Sequence, residues 1–425
     1  MVSSLPQTLD DWLAYIERQH PKSIEMGLER VRAVADRLDL ARPAAQVITV
    51  GGTNGKGSTV AFIESIARAA GWRVGAYTSP HLLRYNERVR IDGDEAGDAQ
   101  LIAAFAAVEA ARGQVPLTYF EFGTLAALWL FQQAPLDLAV LEVGLGGRLD
   151  AVNLIDADVA VITTVDIDHV DWLGPDRESI GQEKAGIARA WKPLVLGEID
   201  SPSSVLRHAY AIGANALRLG SDFFQEPIDG QRWRWREVGA ELELPNPSLA
   251  APIQRNNAAA AIAALRALGT PPPEAAFAEG IAAARLPGRL QSFVRDGVDI
   301  VVDVGHNPQA ARELAAWLRA QPPVATQLVY AALADKDAVG VVTAFDGLDV
   351  RWHLAGLEPG TARGQDVDAL AARLGDTAAA KGSRHATVAD ALASARDAAV
   401  DGSRVLVFGS FHTAAEAVLA LRSSE

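Results

Sequence analysis

The chain has 425 residues, of which 49% are hydrophobic and 22% charged, a composition typical of a globular protein long enough for two domains. Its formal net charge of −14, from 39 Lys and Arg against 53 Asp and Glu, argues against a nucleic-acid partner held by bulk electrostatics. The sequence contains no cysteine, which excludes disulfides, thiolate metal sites and cysteine nucleophiles.

The first residues show no targeting segment. Residues 1–12 carry Asp10 and Asp11 but no basic residue, which is unlike a signal peptide. No apolar run along the chain approaches the ~18 residues of a membrane span. We therefore expect a cytoplasmic protein without a membrane partner.

A glycine-rich loop follows the first predicted strand, Val47–Val50. The loop reads Gly51-Gly52-Thr53-Asn54-Gly55-Lys56-Gly57-Ser58, and an amphipathic helix that stops at Gly71 comes after it. These are the parts of a phosphate cradle, in which backbone N–H groups and Lys56 bind the anion. The loop departs from the common GxxxxGK[ST] pattern, because Val50 stands at the first glycine position and Gly57 follows the lysine. A plain glycine-rich turn is the alternative.

Strand-like and helix-like segments alternate in the first part of the chain and predict a doubly wound, mostly parallel sheet. The predicted strands are Val47–Val50, Val74–Tyr77, Leu138–Val143, Val159–Val165 and Leu194–Leu196. Ligands on such sheets bind beyond the carboxyl ends of the strands. Lys56, Ser79, Glu142 and His169 all stand at these ends, which predicts a ligand site there.

The pattern changes after residue 222. Arg232–Arg236 and Glu241–Leu244 alternate with period two, which favours a half-buried hairpin with solvated arginines over a nucleic-acid site. A helix is predicted from Asn256 to about Leu268. Leu286-Pro287-Gly288-Arg289 then marks the start of a second domain, so that the expected domains are 1–286 and 287–425. Its predicted strands are Ile300–Val304, Leu328–Ala331, Trp352–Leu354 and Val405–Phe408, which indicate a smaller, Rossmann-like α/β domain.

Several polar residues have a structural as well as a functional interpretation. A carboxylate at Glu142, in an apolar run, requires a partner or a metal ion. The Ser79 hydroxyl is a Mg²⁺ ligand or a turn residue, and His169 is more typical of a hydrogen-bonded structural histidine. Lys184 is readable as a solvated helix lysine paired with Glu183 or Glu178.

Nine motifs of the sequence resemble those of the folylpolyglutamate synthase/dihydrofolate synthase branch of the Mur ligase superfamily. They run in order through nearly the whole chain: GTNGKGS at 52–58, TSPHLLRYNERV at 78–89, EVGLGGRLDAVN at 142–153, HVDWLG at 169–174, EKAGI at 183–187, LPGRLQ at 286–291, DVGHNP at 303–308, DKD at 335–337 and GSFHTAAE at 409–416. The resemblance implies a P-loop-type first domain that binds ATP and pterin. It implies a second domain that contributes contacts to glutamate and nucleotide.

The resemblance implies the following site residues. For ATP they are Gly52, Thr53, Asn54, Gly55, Lys56, Gly57, Ser58, Gln254, Asn257, Arg289 and Asp303; for two Mg²⁺ sites, Ser79, Glu142, His169 and a carbamylated Lys184. For the pterin or folate they are Thr118, Phe120, Glu121, Gly147, Asp150 and Ala151; for glutamate, His306 and Ser410. Lys56, Lys184 and His306 are the implied catalytic residues, and K⁺ or another monovalent cation is an optional addition. The chain departs from the family pattern at Ile253, where the family has histidine, and at Val304-Gly305.

The function implied is an ATP-dependent amide ligase of folate biosynthesis and polyglutamylation. It would add L-glutamate to 7,8-dihydropteroate and to (tetrahydro)folates through an acyl phosphate. A folylpolyglutamate synthase alone and a cell-wall peptide ligase are the nearest alternatives, although the latter generally carries an extra N-terminal domain. A P-loop ATPase or kinase and a regulatory nucleotide-binding module are more distant ones. The family is mostly monomeric, so we expect a monomer whose partners are small molecules.

Overall fold

The computed structural model describes residues 5–22, 24–358, 361 and 363–423. The chain forms two compact units: unit 1 comprises Met1–Ser248 and Gln254–Arg285, and unit 2 comprises Leu249–Ile253 and Leu286–Glu425. Within the described ranges, every helix is too short or too polar to cross a membrane.

Unit 1 is built around a twisted sheet with helices on its faces. In chain order its first elements are α1 (Leu9–Glu17), α2 (Glu29–Arg37), β1 (Gln46–Gly51), α3 (Lys56–Ala69), β2 (Val74–Tyr77), β3 (Val89–Ile91), β4 (Asp94–Glu95), α4 (Asp98–Arg112), α5 (Tyr119–Gln132), β5 (Leu138–Glu142), β6 (Val159–Ile162), α6 (Val170–Leu173), α7 (Arg177–Ala185), β7 (Pro193–Leu196), α8 (Ser203–Ile212) and β8 (Asn215–Arg218). The strand order is β4-β3-β2-β5-β1-β6-β7-β8. From β2 to β8 all neighbours are parallel, while β3 and β4 add an antiparallel edge. The predicted doubly wound, mostly parallel sheet is confirmed.

The register of the sheet determines where the glycine-rich loop emerges. At the end of β1, Val50 pairs with Glu142 on β5 and Gly51 pairs with Ile162 on β6. The predicted strand Val159–Val165 is three residues too long, since β6 ends at Ile162. The next two residues, Thr163 and Thr164, direct polar groups to the loop instead of continuing the strand.

The Arg/Trp alternation forms an antiparallel sheet of β9 (Phe223–Pro227), β10 (Arg232–Glu237) and β11 (Ala240–Pro245). Trp233 and Trp235 are fully buried, whereas the three arginines that alternate with them pair with glutamates of the neighbouring strands. The predicted hairpin is therefore confirmed, with β9 as a strand that the pattern did not reveal. Unit 1 continues with α9 (Gln254–Arg266) and α10 (Glu274–Ala283).

Unit 2 is a second, smaller α/β layer structure. Its elements are β12 (Gln291–Arg295), β13 (Val298–Val302), α11 (Pro308–Ala320), β14 (Thr326–Tyr330), α12 (Ala338–Thr343), β15 (Val350–Ala355), α13 (Val367–Leu374), β16 (Ser383–His385), α14 (Val388–Asp397), β17 (Arg404–Phe408) and α15 (Phe411–Arg422). The order is β12-β13-β17-β14-β15-β16, and only the β12–β13 pair is antiparallel within this described sheet. The four predicted strands are present. The sequence pattern did not predict β12 and β16, because edge strands with exposed residues lack a continuous apolar run.

Candidate active site

The glycine-rich loop is held by the residues that follow β6. The Thr53 N–H donates to the Thr164 carbonyl at 2.7 Å, and the Thr163 hydroxyl donates to the Asn54 carbonyl at 2.6 Å. Gly52 adopts φ +143°, and a Cβ there would lie 1.9 Å from Thr163 Oγ1. Lys56, Gly57 and Ser58 then form the first turn of α3. The loop is therefore held in a fixed turn at a helix N-terminus, a position that suits an anion.

Two lysine ammonium groups converge on this loop. Lys56 Nζ donates to the carbonyls of Gly52 at 3.1 Å and Thr53 at 3.2 Å. Lys184, at the end of α7, donates from Nζ to the same Gly52 carbonyl at 3.0 Å. It is 3% exposed, so its interpretation as a solvated helix lysine is wrong. Burial, followed by the charge of Lys56, lowers the pKa of Lys184 to about 7.

The start of α9 contacts the loop from another side. A Cβ on Gly55, whose φ is +88°, would lie 2.5 Å from Asn257 Oδ1. Asn257 Nδ2 in turn donates to Gln254 Oε1 at 2.9 Å, and both side chains are buried. The structure thus brings Asn257, one of the residues predicted for ATP, against the loop, with Gln254 bonded to it.

Ser79 and Glu142 meet at the carboxyl ends of β2 and β5. The Ser79 N–H donates to Glu142 Oε2 at 3.2 Å, and Glu142 is 4% exposed. The nearby Arg90 on β3 carries a charge that interacts with Glu142, although its direct ion-pair partner is Glu64 on α3 at 2.8 Å. Glu142 is therefore a buried carboxylate oriented by the main chain.

His169 lies at the N-terminus of α6 with φ +53°, and its side chain is 36% exposed. Among the described residues, no three His, Cys, Asp or Glu side chains are grouped closely enough to hold a metal ion by themselves. Of the four predicted metal ligands, only Glu142 and His169 belong to these residue types. The other two, Ser79 and Lys184, supply a hydroxyl and an amine.

The predicted pterin residues flank the segment that follows β5. Asp150 is buried and accepts from the N–H groups of Gly144, Leu145 and Val152 at 3.0, 2.8 and 3.0 Å. Burial raises the pKa of Asp150 to about 6 against these hydrogen bonds. A Cβ on Gly147 would lie 3.0 Å from Lys184 Cα, so this segment packs directly against α7. Ala151 begins the short 3₁₀ turn Ala151–Leu154.

The start of α5 forms the other wall of this region. Thr118 is the N-cap and Glu121 Oε2 accepts from its N–H at 2.8 Å, while Glu121 Oε1 pairs with Arg30 at 2.9 Å. The Phe120 ring faces Gly144, where a Cβ would approach it to 2.6 Å. Thr118 and Glu121 therefore contribute to the helix cap. Phe120 is the aromatic side chain among the residues predicted for the pterin.

Unit 2 brings its own predicted residues together beyond β13 and β17. Asp303 accepts from the N–H groups of Leu290 and Gly305 at 2.9 and 2.7 Å. Burial raises its pKa, and the charge of Arg289 opposes that rise. The Phe411 ring lies 5.4 Å from the Arg289 guanidinium carbon and 6.4 Å from the His306 ring. Ser410 is the N-cap of α15 and accepts from Thr413 N at 2.9 Å.

Comparisons with known proteins identify the family to which this chain belongs. The model of the Mur ligase middle domain matches residues 50–265, and that of the Mur ligase glutamate ligase domain matches residues 288–411. A dihydrofolate synthase/folylpolyglutamate synthase of Escherichia coli (strain K12) is 47% identical over 409 residues, which are 96% of this chain and 94% of the relative. The chain belongs to the dihydrofolate synthase/folylpolyglutamate synthase family of Mur ligases.

Solved structures in this Mur ligase family share the fold over nearly the whole chain. The E. coli FolC structure in complex with DHPP and ADP superposes with a TM-score of 0.92 at 45% identity, covering 99% of this chain and 100% of that one. A bifunctional folylpolyglutamate synthase/dihydrofolate synthase with Mn, AMPPNP and L-glutamate bound gives 0.90 at 44% identity, covering 98% of each chain.

Sequence reasoning missed contacts around the site of this Mur ligase that depend on long-range packing. Thr163 and Thr164 shape the loop from 110 residues away, and Arg90 pairs with Glu64 across two elements. The polar Thr163-Thr164 pair at the end of an apolar strand is a signal that was available. The Glu64–Arg90 pair has no signature in the local sequence.

Proposed function

We infer that the protein is an ATP-dependent amide ligase that adds L-glutamate to 7,8-dihydropteroate and to (tetrahydro)folates. The observation that carries this inference is the convergence of Lys56 and Lys184 on the Gly52 carbonyl. It joins the lysine of the EKAG motif to the nucleotide loop, in a chain matched by both Mur ligase domain models.

The reaction has two steps. A carboxylate oxygen of the pteroate or folate attacks the γ-phosphorus of ATP, the bond to the bridging oxygen breaks, and ADP leaves. The amine of L-glutamate then attacks the acyl carbon, loses a proton, and displaces inorganic phosphate. The loop N–H groups and the Lys56 ammonium stabilise the charge that develops on the transferring phosphoryl group.

The donor set suits a hard divalent cation once Lys184 is carbamylated. Ser79 and Glu142 would hold one Mg²⁺, and Glu142, His169 and the Lys184 carbamate would hold a second. The pKa of Lys184, about 7, supports this modification, because only the neutral amine reacts with CO₂. Bound Mg²⁺ neutralises phosphate charge in the transferring group. K⁺ or another monovalent cation is a further candidate ligand.

The two predicted domains have separate roles in this proposal. Residues 1–286 bind ATP, the cations and the pterin, the last through Thr118, Phe120, Glu121, Gly147, Asp150 and Ala151. Residues 287–425 contribute Arg289 and Asp303 toward the nucleotide and His306 and Ser410 toward glutamate. The backbone contacts that orient Asp150 and Asp303 support their roles as fixed acceptors.

We also propose that the enzyme works as a cytoplasmic monomer with small-molecule partners alone. The net charge of −14 supports the absence of a nucleic-acid partner. Sedimentation of the purified protein at working concentration tests the monomer.

The decisive experiment is product analysis. The purified protein is incubated with Mg-ATP and L-glutamate, with 7,8-dihydropteroate in one tube and tetrahydrofolate in another, and the products are weighed by mass spectrometry. A gain of one glutamate in both tubes supports the bifunctional ligase. A gain with tetrahydrofolate alone restricts it to polyglutamylation, and phosphate release without adduct contradicts the proposal.

A further inference from the structure

Arg88 is a buried cation that has no acidic partner in the described part of the chain. It ends the 3₁₀ turn Tyr85–Arg88 and is 9% exposed. Among the residues that the structure describes, no carboxylate lies within 4.0 Å of its guanidinium, and its one side-chain hydrogen bond runs from Nε to His81 Nδ1 at 2.8 Å. A buried charge is unfavourable unless something compensates it.

Aromatic rings surround this guanidinium but do not neutralise it. Its carbon lies 5.2 Å from the Tyr85 ring centre and 5.4 Å from that of Tyr119. Burial raises the pKa of both phenols, and of Tyr77 to about 12, so that all three are neutral at physiological pH. Ring faces stabilise a cation by charge–quadrupole attraction, yet the full positive charge remains.

The terminal nitrogens of Arg88 remain accessible to a ligand. Neither terminal nitrogen donates a hydrogen bond to another described residue, and neither is fully shielded from solvent. They therefore keep contact with solvent. A planar fork of N–H donors that reaches solvent from a mostly apolar wall is suited to a carboxylate.

The neighbours of Arg88 connect its guanidinium and the Tyr85 and Tyr119 rings to residues that are proposed to bind the cations and the pterin. Its carbonyl accepts from Thr78 N at 2.9 Å, and Thr78 precedes Ser79, whose N–H bonds Glu142. On the other side, Tyr119 precedes Phe120, and the Phe120 ring lies 6.0 Å from Tyr77. Arg88 is therefore linked through Thr78 to the residues proposed for the cations, and through the Tyr119 ring to the residue that precedes the proposed pterin contact Phe120.

We propose that Arg88 binds a carboxylate of the pteroate or folate acceptor, with Tyr85 and Tyr119 as the aromatic wall and His81 as the group that orients it. This inference rests on the proposed function. Because His81 Nδ1 accepts from Arg88, the ring proton of neutral His81 is on Nε2. In a chain with a net charge of −14, an anionic acceptor requires such a local cation.

The test compares Arg88→Met with Arg84→Met as a matched control. Arg84 is in the same segment, but its side chain is 68% exposed and pairs with Glu95 at 2.6 Å. Arg88→Met should raise KM for the acceptor about 10- to 100-fold, the loss expected for a hydrogen bond to a charged group. KM for ATP should stay within about twofold, and Arg84→Met should match the wild type.

The two acceptors distinguish which carboxylate is bound. Dihydropteroate carries only the reacting carboxylate, whereas tetrahydrofolate also carries the α-carboxylate of its glutamate. A higher KM for both acceptors indicates the reacting group, and a higher KM for tetrahydrofolate alone indicates the α-carboxylate. Either result supports the proposal; unchanged acceptor KM values, or a change confined to L-glutamate or ATP, overturn it.

Further measurements separate binding from folding and from the proposed function. Thermal midpoint and ADP affinity report whether Arg88→Met is folded, and Arg88→Lys should recover only part of the acceptor affinity. In Arg88→Ala, added guanidinium ion should lower the acceptor KM, which a packing defect would not show. If the wild type forms no glutamate adduct, the proposed function fails, and calorimetry with dihydropteroate alone then decides Arg88: equal affinity in wild type and Arg88→Met refutes it.

Discussion

The ammonium groups of Lys56 and Lys184 donate to one backbone oxygen, that of Gly52, at 3.1 and 3.0 Å. Two ammonium groups this close to one carbonyl repel each other. The same proximity favours the neutral form of the more buried lysine. Burial and the Lys56 charge together lower the pKa of Lys184 to about 7.

Lys184 should respond to CO₂ in a pH-dependent manner. Above pH 7 its amine is mostly neutral and can form a carbamate, whereas below pH 7 it is mostly an ammonium. Bicarbonate added to CO₂-depleted enzyme should therefore activate it more at pH 8 than at pH 6. A carbamate resonance from ¹³C-bicarbonate should be present in the wild type at pH 8 and absent in Lys184→Arg. An identical spectrum of the two proteins would refute the modification.

Lys56→Ala should fold normally and lose most of its ligase activity. The side chain donates to the loop carbonyls of Gly52 and Thr53, whereas in the reaction it would stabilise the transferring phosphoryl group. Loss of one such donor raises the barrier by ~2–4 kcal/mol. Single-turnover rates measure the effect, and the thermal midpoint provides the folding control. A variant that keeps more than about a tenth of the wild-type rate contradicts the role of Lys56.

The two ends of α3 offer a matched pair of glycines. Gly55 has φ +88° and Gly71 has φ +81°, so alanine is strained at both. At Gly55 the new Cβ would also lie 2.5 Å from Asn257 Oδ1, while at Gly71 nothing lies within 4 Å in the described structure. Gly55→Ala should lower both stability and ADP affinity, and Gly71→Ala should lower stability alone, by about 1 kcal/mol.

Calorimetric ADP titration and thermal unfolding distinguish the two effects. Equal ADP affinity in Gly55→Ala and Gly71→Ala would mean that the contact between the loop and Asn257 has no part in nucleotide binding.

Much of the fold was predictable because buried parallel strands leave continuous apolar runs, as Val159–Ile162 and Leu138–Glu142 do. The loop was predictable for a related reason, since its glycines, lysine and following helix are adjacent in sequence. Edge strands such as β3, β4 and β8 were missed, because a short, partly exposed strand has no such pattern.

The environment of Lys184 could not be predicted from the residues that neighbour it in sequence. Its ammonium is fixed by Gly52, 132 residues earlier, and Glu183 and Glu178 bind Arg148 and the start of α8 instead. Charge and helical position suggested a solvated lysine, whereas packing of α7 against the loop buried it. Only the family resemblance pointed to the site.

Glu198 provides a test of pH-dependent stability. Its side chain is 15% exposed and accepts from Val165 N at 3.0 Å, and burial raises its pKa to about 7. A carboxyl whose folded pKa exceeds its unfolded value, near 4.3, stabilises the fold only while protonated. Its contribution is fully present below the unfolded pKa and is lost as pH rises through 7, by an amount on the order of 3 kcal/mol at most.

Glu198→Gln should remove this loss, because an amide keeps the acceptor for Val165 N without ionising. The thermal midpoint of the variant relative to the wild type should therefore be higher at pH 8 than at pH 5. Glu243→Gln is the control, since Glu243 is 48% exposed and its change should be similar at both pH values. If Arg177, whose Nη2 lies 3.4 Å from Glu198 Oε2, outweighed burial, Glu198→Gln would instead destabilise the protein more at pH 8.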